Sequence, residues 1–405
     1  MAKEKKKVPN LRFKGFTDDW EQQKFSELYI KSNKKNDLSY KKNKVISVAT
    51  MSWSCAPQKS KDNYMKTYNV VHKGDIVFEG HKSDNFQFGR FVENTIGDGI
   101  VSHIYDVYSP TKKRNLLFWK YYINSEKVMR NILRMSTTSA RMMHNLVSKD
   151  IANQILNVPS HSEQLKIGKI ISLVQSTISL QQRKLDLLKQ LKKGLLQKMF
   201  ADKDSKRPVL RFEGFNDDWE RWKLGDLVVI KSGLSTNTQS RQGFYKITRI
   251  ETISKGLIDM NKTGSVQIKP DDKYLMHAGD ILFSNINSLK HIGKVAIFNG
   301  KSTLYHGMNL LRMTAQSNVS SYFIYYQLIT DKHSNWAKAH ANPAVSQASI
   351  NQHTLSLEPM YITKLEEQHE ISDFIGKLDS ILTFQQQKLV RINKIKKSLL
   401  QQIFI

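Results

Sequence analysis

The stretch "LRFEGFNDDWERWKLGDL", residues 210–227, repeats "LRFKGFTDDWEQQKFSEL", residues 11–28, with 11 of 18 positions identical and no gap. Duplication half a chain apart is the first thing to explain, because an internal repeat decides the architecture before any single element does. Four further matches follow in the same order. "HKGDIVF" (72–78) pairs with "HAGDILF" (277–283), "FGRF" (88–91) with "IGKV" (292–295), and Tyr121 and Tyr122 with Tyr325 and Tyr326. "EQLKIGKIISLVQSTISLQQRKLDLLKQLKKGLLQKMF" (163–200) then runs with "EQHEISDFIGKLDSILTFQQQKLVRINKIKKSLLQQIF" (367–404). The offset is 199 at the opening and 204–205 thereafter, so the chain is two divergent copies of one unit of about 200 residues.

Each copy divides by composition. Its first part mixes β-branched and aromatic runs with Gly, Asn and Asp, the pattern of strands with a few helices, and "GDI[VL]F" reads as a turn feeding a buried strand. Its last ~40 residues are proline-free and rich in helix formers. The expected division is 1–160 and 209–365 for the mixed domains, 161–201 and 366–405 for the helices, and 202–208 for a polar linker.

Both helical stretches carry heptads. Ile167, Val174, Gln181, Leu188 and Leu195 occupy one seam position of the first, and Ile171, Ile178, Leu185, Lys192 and Met199 the other. The second gives Ile371, Leu378, Gln385, Ile392 and Leu399, then Ile375, Leu382, Leu389, Lys396 and Ile403. About five heptads with apolar seams mark a coiled coil. Antiparallel pairing, in which Ile167 meets Leu399 and Leu195 meets Ile371, brings Gln181 against Gln385, a polar pair that would fix register. The competing reading has both glutamines exposed, with Leu180 and Phe384 packing instead. A 38-residue helix is roughly 57 Å long at 1.5 Å per residue, so this geometry predicts a rod with one globular unit at each end, related by a pseudo-two-fold axis.

The bulk numbers narrow the class. Lys and Arg total 63 and Asp and Glu 36, so 63 − 36 gives +27, an excess suited to a polyanion. The single cysteine, Cys55, forbids an intramolecular disulfide and a cysteine zinc site. No apolar run is long enough for a membrane span, and the basic start "MAKEKKKVPN" has none behind it, so a cytoplasmic setting is expected.

Taken together, the duplicated "LRF.GF..DWE..K", "GDI[VL]F" and "EQ" with "QQ.KL" midway resemble the specificity subunits of type I restriction–modification systems, over nearly the whole chain. The resemblance implies an α+β chain of two homologous mixed α/β target recognition domains, joined by two long helices in an antiparallel coiled coil. It implies double-stranded DNA with a bipartite site as ligand, each domain reading one half and the helices setting the gap. It implies two methyltransferase (M) subunits and two restriction (R) subunits as partners, with S-adenosylmethionine, ATP and Mg²⁺ bound there and no cofactor here. The first domain departs from the pattern over residues 137–159, where a more Gly- and Gln-rich run is expected; residues 342–359 fit better.

Catalytic signatures are missing from the sequence. Asn342-Pro343 is followed by Ala344 and Val345 rather than the proline and aromatic of an adenine methyltransferase, and no phosphate-binding loop of the Gly-x-x-x-x-Gly-Lys-Ser/Thr type exists. Asp271, Asp272 and Lys273 read as a turn after Pro270 rather than a nuclease site. The expectation is a chain that is not an enzyme; an autonomous sequence-specific nuclease or a structural DNA-bridging coiled coil are the alternatives. DNA readout needs Asn, Gln, Arg, Lys or Ser at base edges. The loops after "GDI[VL]F" offer Lys82, Ser83, Asn85, Gln87 and Arg90 in the first copy. The second offers Asn285, Asn287, Ser288 and Lys290, with Arg249 and Gln347 as further candidates.

Overall fold

The computed structural model describes residues 8–54, 62–139, 143–201, 205–236, 243–253, 256–343 and 347–404. The basic start at 1–7, Cys55, linker residues 202–204, and Ala344 and Val345 lie outside them. The chain forms two compact units, one of residues 1–182 with 387–405 and one of residues 183–386. Each unit therefore takes a mixed domain together with the start of one long helix and the end of the other.

In the first unit an antiparallel sheet runs in the order Tyr29–Ser32, Asp106–Pro110, Ile76–Glu79, Arg90–Glu93. The second unit repeats it as Val228–Ser232, Leu311–Ala315, Ile281–Phe283, Val295–Ile297. The GDI[VL]F segment is an inner strand of each, and every residue of that strand is buried. Its turn explains the repeated letters: Gly74 and Gly279 sit at φ +97° and +93°, a region that glycine enters at little cost. Asp75 and Asp280 each accept the backbone N–H of the histidine three residues back, at 2.7 and 2.8 Å. A second pairing in each unit, Glu21–Lys24 with Ile155–Val158 and Glu220–Lys223 with Pro359–Ile362, ties the opening motif to the segment entering a long helix. Trp20 and Trp219 of the opening motif are buried in the two cores.

The long helices are His161–Lys198 and Leu365–Ile403. Within the first unit Ile167 and Ile171 share a core with Ile403, against which Leu399 packs. Within the second, Met199 shares a core with Ile371 and Ile375, against which Leu195 packs. Start meets end in both, so the pairing is antiparallel. Every seam position named above is buried or half-buried, whereas Leu180 and Phe384 are 65% and 62% exposed. The seam, not the flanking apolar pair, is the packed face. Two polar interruptions have matching partners: Lys396 Nζ donates to Gln175 Oε1 at 2.6 Å in the first unit, and Lys192 Nζ meets Asp379 Oδ1 at 2.5 Å in the second.

Candidate nucleic-acid interface

In the first unit the loop leaving the inner strand makes a tight hairpin. Ser83 and Phe86 exchange backbone hydrogen bonds at 2.9 and 3.1 Å, placing Asp84 and Asn85 at the tip. Lys82, Ser83, Asn85 and Gln87 are all exposed. Gln87 Oε1 accepts from Arg130 Nη2 at 2.6 Å, so the helix Glu126–Ser136 braces the loop. Arg90 is placed differently. The strand register sets it opposite Glu79, and its Nε and Nη2 reach Glu79 Oε2 at 2.7 and 2.6 Å while Nη2 also donates to the Ala49 carbonyl. Its guanidinium staples the base of the loop.

In the second unit the loop is stiffened by a three-stranded ribbon in which Ile286–Asn287 pairs with Ala348–Ser349 and that with Asn342–Pro343. Gln347, exposed, thus stands beside the register pair Asn287 and Ala348. Lys290 is exposed and Ser288 half-buried. Asn287 spends its amide on Ser284 Oγ at 3.1 Å and its carbonyl oxygen on the Ser288 N–H at 2.9 Å. Asn285 Oδ1 is buried with no hydrogen-bond partner among the described residues. Arg249 lies elsewhere, in a cleft of about 700 Å³ lined also by Lys246, Asn261 and Lys262, and its Nε is 3.6 Å from Glu251. Of the second unit's candidates, Asn287 lies in the ribbon, Asn285, Ser288 and Gln347 adjoin its strands, Lys290 follows in the same loop, and Arg249 lines the other cleft.

The first unit builds the same ribbon from residues that sequence reading passed over. Thr137–Ser139 pairs with His144–Leu146, and Met143 bridges to His81 in the loop. Gly80 allows the approach: a Cβ there would lie 2.1 Å from the His144 carbonyl oxygen. Thr138 and Asn145 are exposed on this hairpin. The sequence reading set residues 137–159 against 342–359 but named no reader there, although the 204–205 offset places residues 342–349 on 137–145.

The comparisons with known proteins agree on one family. Residues 216–394 match the family described as "Type I restriction modification DNA specificity domain". Over 194 residues the chain is 41% identical to the MjaX type I restriction enzyme specificity subunit of Methanocaldococcus jannaschii, covering 46% of each chain. It is 23% identical over 362 residues to the MjaVIII specificity subunit of the same organism, covering 82% of this chain and 78% of that one. Among solved structures, the type I restriction–modification S subunit from M. genitalium superposes with a TM-score of 0.58 at 13% identity, over 98% of this chain and 99% of that one. Residues 216–394 thus match a type I specificity domain, and the chain as a whole is similar to type I restriction–modification specificity subunits.

The chain spans about half the length of the first of these curated relatives. A second solved chain, from work on complex assembly and conformational transition of the type I R-M system, has a TM-score of 0.57 at 14% identity, covering 95% and 97%. At this identity these likenesses show the fold alone. Among the described residues no helix is long and apolar enough to cross a membrane, and no group of three metal-ligating side chains gathers. Asp271 N-caps a short helical turn, accepting the Lys273 N–H at 3.0 Å, which is the turn geometry read from Pro270 onward.

Proposed function

We propose that this chain is the DNA-reading subunit of a type I restriction–modification complex and carries no catalysis of its own. Each unit reads one half of a bipartite duplex site with its ribbon and loop. The antiparallel helices set the gap and dock two methyltransferase subunits, and two restriction subunits complete the assembly. S-adenosylmethionine, ATP and Mg²⁺ belong to those partners, and the chain works in the cytoplasm. The observation that carries the reading is the ribbon built twice from unlike residues. Beside the ribbon, the loop presents Lys82, Ser83, Asn85 and Gln87 in one unit and Ser288 and Lys290, with Gln347, in the other. Duplicated scaffold with divergent display is what two different half-sites require, because base edges are read by side-chain donors and acceptors while phosphate contacts only position the protein.

The test is exchange of residues 1–160 for the equivalent domain of a related subunit, co-expression with the methyltransferase partner, and methylome sequencing. One half of the modified motif should change and the other persist. Simultaneous change of both halves would overturn the assignment of one unit to each half, and strand scission by the purified chain with Mg²⁺ would overturn the non-catalytic role.

A further inference from the structure

The two units hold the bases of their loops by different chemistry. The first uses the Arg90–Glu79 ion pair. In the second, Gly293, the match of Gly89 in the first, sits at φ +77°, and a helix presses directly on it: a Cβ there would lie 2.5 Å from Ala337 Cβ. From the same helix, Asp331–His340, the His333 ring reaches the loop. Its Nε2 is 2.9 Å from the Gly293 carbonyl oxygen, and its Nδ1 is 2.6 Å from Glu358 Oε1. All of this is buried, with His333 4% and Glu358 3% exposed.

A carbonyl oxygen only accepts, so the bond to Gly293 requires a proton on Nε2. The 2.6 Å contact then needs a second proton, shared between Nδ1 and the carboxylate. Remove it and the pair faces a choice. If the remaining imidazole proton sits on Nδ1, facing the carboxylate, Nε2 turns a lone pair toward the Gly293 carbonyl. If it sits on Nε2, the Nδ1 lone pair faces a buried carboxylate. The first is less costly, so deprotonation releases Gly293.

Among the described residues, one charged group shifts the ring's titration. Glu358 is the charged group that interacts with the His333 ring, and Phe283 of the inner strand packs against that ring, centroids 5.9 Å apart. The loop itself carries His291 and Lys294 near Gly293, and the helix carries Asp331, which is occupied by Lys193 and Gln197, and Lys332. Burial alone pushes the His333 imidazolium down, but Glu358 and the Gly293 carbonyl outweigh it and its pKa ends above the ordinary histidine value of 6.5. The corresponding turn of the first unit's helix carries Val128 and Met129, neither of which titrates.

We propose that His333 is a positioning residue that pegs the base of the 284–294 loop only while a proton is shared with Glu358, so that alkaline pH relaxes reading by the second unit and spares the first. This rests on the loop being a DNA-reading element. The sign follows from the raised pKa: the peg is in place below about pH 6.5 and is lost as pH rises through the higher folded-state value.

The test combines two measurements on the full chain: amide-exchange protection of residues 284–294 at several pH values, and selection from a duplex library randomised in both half-sites, in complex with the methyltransferase subunits. In the native chain, loop protection should drop about tenfold on the alkaline side, the loss of one charge-assisted hydrogen bond, and preference should relax in one half-site only. His333→Leu, which has no donor, should show the relaxed state at every pH. Glu358→Gln is the decisive control. Its amide can donate to Nδ1, leaving Nε2–H on Gly293, so the peg should survive and the pH dependence vanish. Loop protection that ignores both pH and His333→Leu would overturn the peg. Protection that falls while the selected motif stays sharp would instead overturn the loop's role in reading.

Discussion

Arg12 and Glu163, 151 residues apart, close a two-pronged ion pair: Nε to Oε1 at 2.8 Å and Nη2 to Oε2 at 2.9 Å, with Glu163 1% exposed. Arg211 and Glu367 repeat it at 2.7 and 2.8 Å, with Glu367 0% exposed. The arginine of each opening motif thus holds the glutamate in the first turn of the long helix that follows it. The leucine beside each arginine reaches the far end of the other helix, Leu11 N–H to the Gln402 carbonyl at 3.0 Å and Leu210 N–H to the Lys198 carbonyl at 2.8 Å. The duplicated "LR" and "EQ" are one joint made twice.

Truncating that joint should be severe and local. Removing one partner of a buried pair leaves an uncompensated charge and costs about 3–5 kcal/mol. Arg12→Ala should therefore destabilise the first unit and Arg211→Ala the second, read as separate changes in denaturant unfolding. Lysine cannot make the two-pronged contact, so Arg12→Lys should recover little. Full recovery by lysine would show that the charge alone matters.

The repeat marked both ends of this joint but not their contact, and the heptads made the helix pairing legible, because both patterns recur in the sequence. What stayed hidden depends on non-local strand pairing. Arg90 has the chemistry of a guanine reader, yet the hairpin register sets it across from Glu79, and that cross-strand pair engages it. The first unit's ribbon is Thr, Ser, His and Asn, with none of the apolar alternation that announces a strand. His333 is joined to Glu358 and Gly293, partners 25 and 40 residues away in sequence, which no local pattern reports.

Two other buried groups predict opposite pH sensitivities in the two units. Burial pushes His306 down to about 4, against 6.5 when unfolded, so the unfolded chain takes up a proton that the folded one refuses. The second unit should lose stability as pH falls from about 6.5 to 4, by about 3 kcal/mol, since each tenfold difference in proton affinity is worth about 1.36 kcal/mol. Glu93, pushed up to about 8 by burial, does the reverse in the first unit: stability falls as pH rises from 4.5 to about 8. Glu93→Gln should remove that alkaline loss. Calorimetric scans across pH decide it, and a Glu93→Gln chain that keeps the wild-type slope would refute the assignment.

Lys82 and Lys290, both exposed on the loops, should differ from Gln347 in what they lose. Replacing a lysine that neutralises a phosphate weakens binding across all sequences and lowers the salt slope by about one, whereas losing a base contact costs about 1–3 kcal/mol at one position. Uniform weakening is expected for the lysines and relaxed preference at one base pair for Gln347→Ala. Wild-type binding by all three variants over a salt titration would place the DNA face elsewhere.

Gln181 and Gln385 occupy the same seam position in their two helices, and each buries its Oε1 without a hydrogen-bond partner among the described residues. Leaving a buried acceptor unsatisfied costs about 1–3 kcal/mol. Replacing both with leucine should therefore raise the unfolding temperature. Stability is only half of the expectation. A polar residue in an apolar seam discriminates between registers, because sliding the helices moves it against side chains that cannot pair with it. All-apolar seams tolerate a slip of one heptad better. The contacts Lys396–Gln175 in the first unit and Lys192–Asp379 in the second report the native register. With Cys55 replaced, a cysteine pair at 175 and 396 should oxidise as a single species in the native background and only in part once both glutamines are leucine. A double variant that is less stable than the parent, or that oxidises as completely, would show that the two glutamines do not set the register.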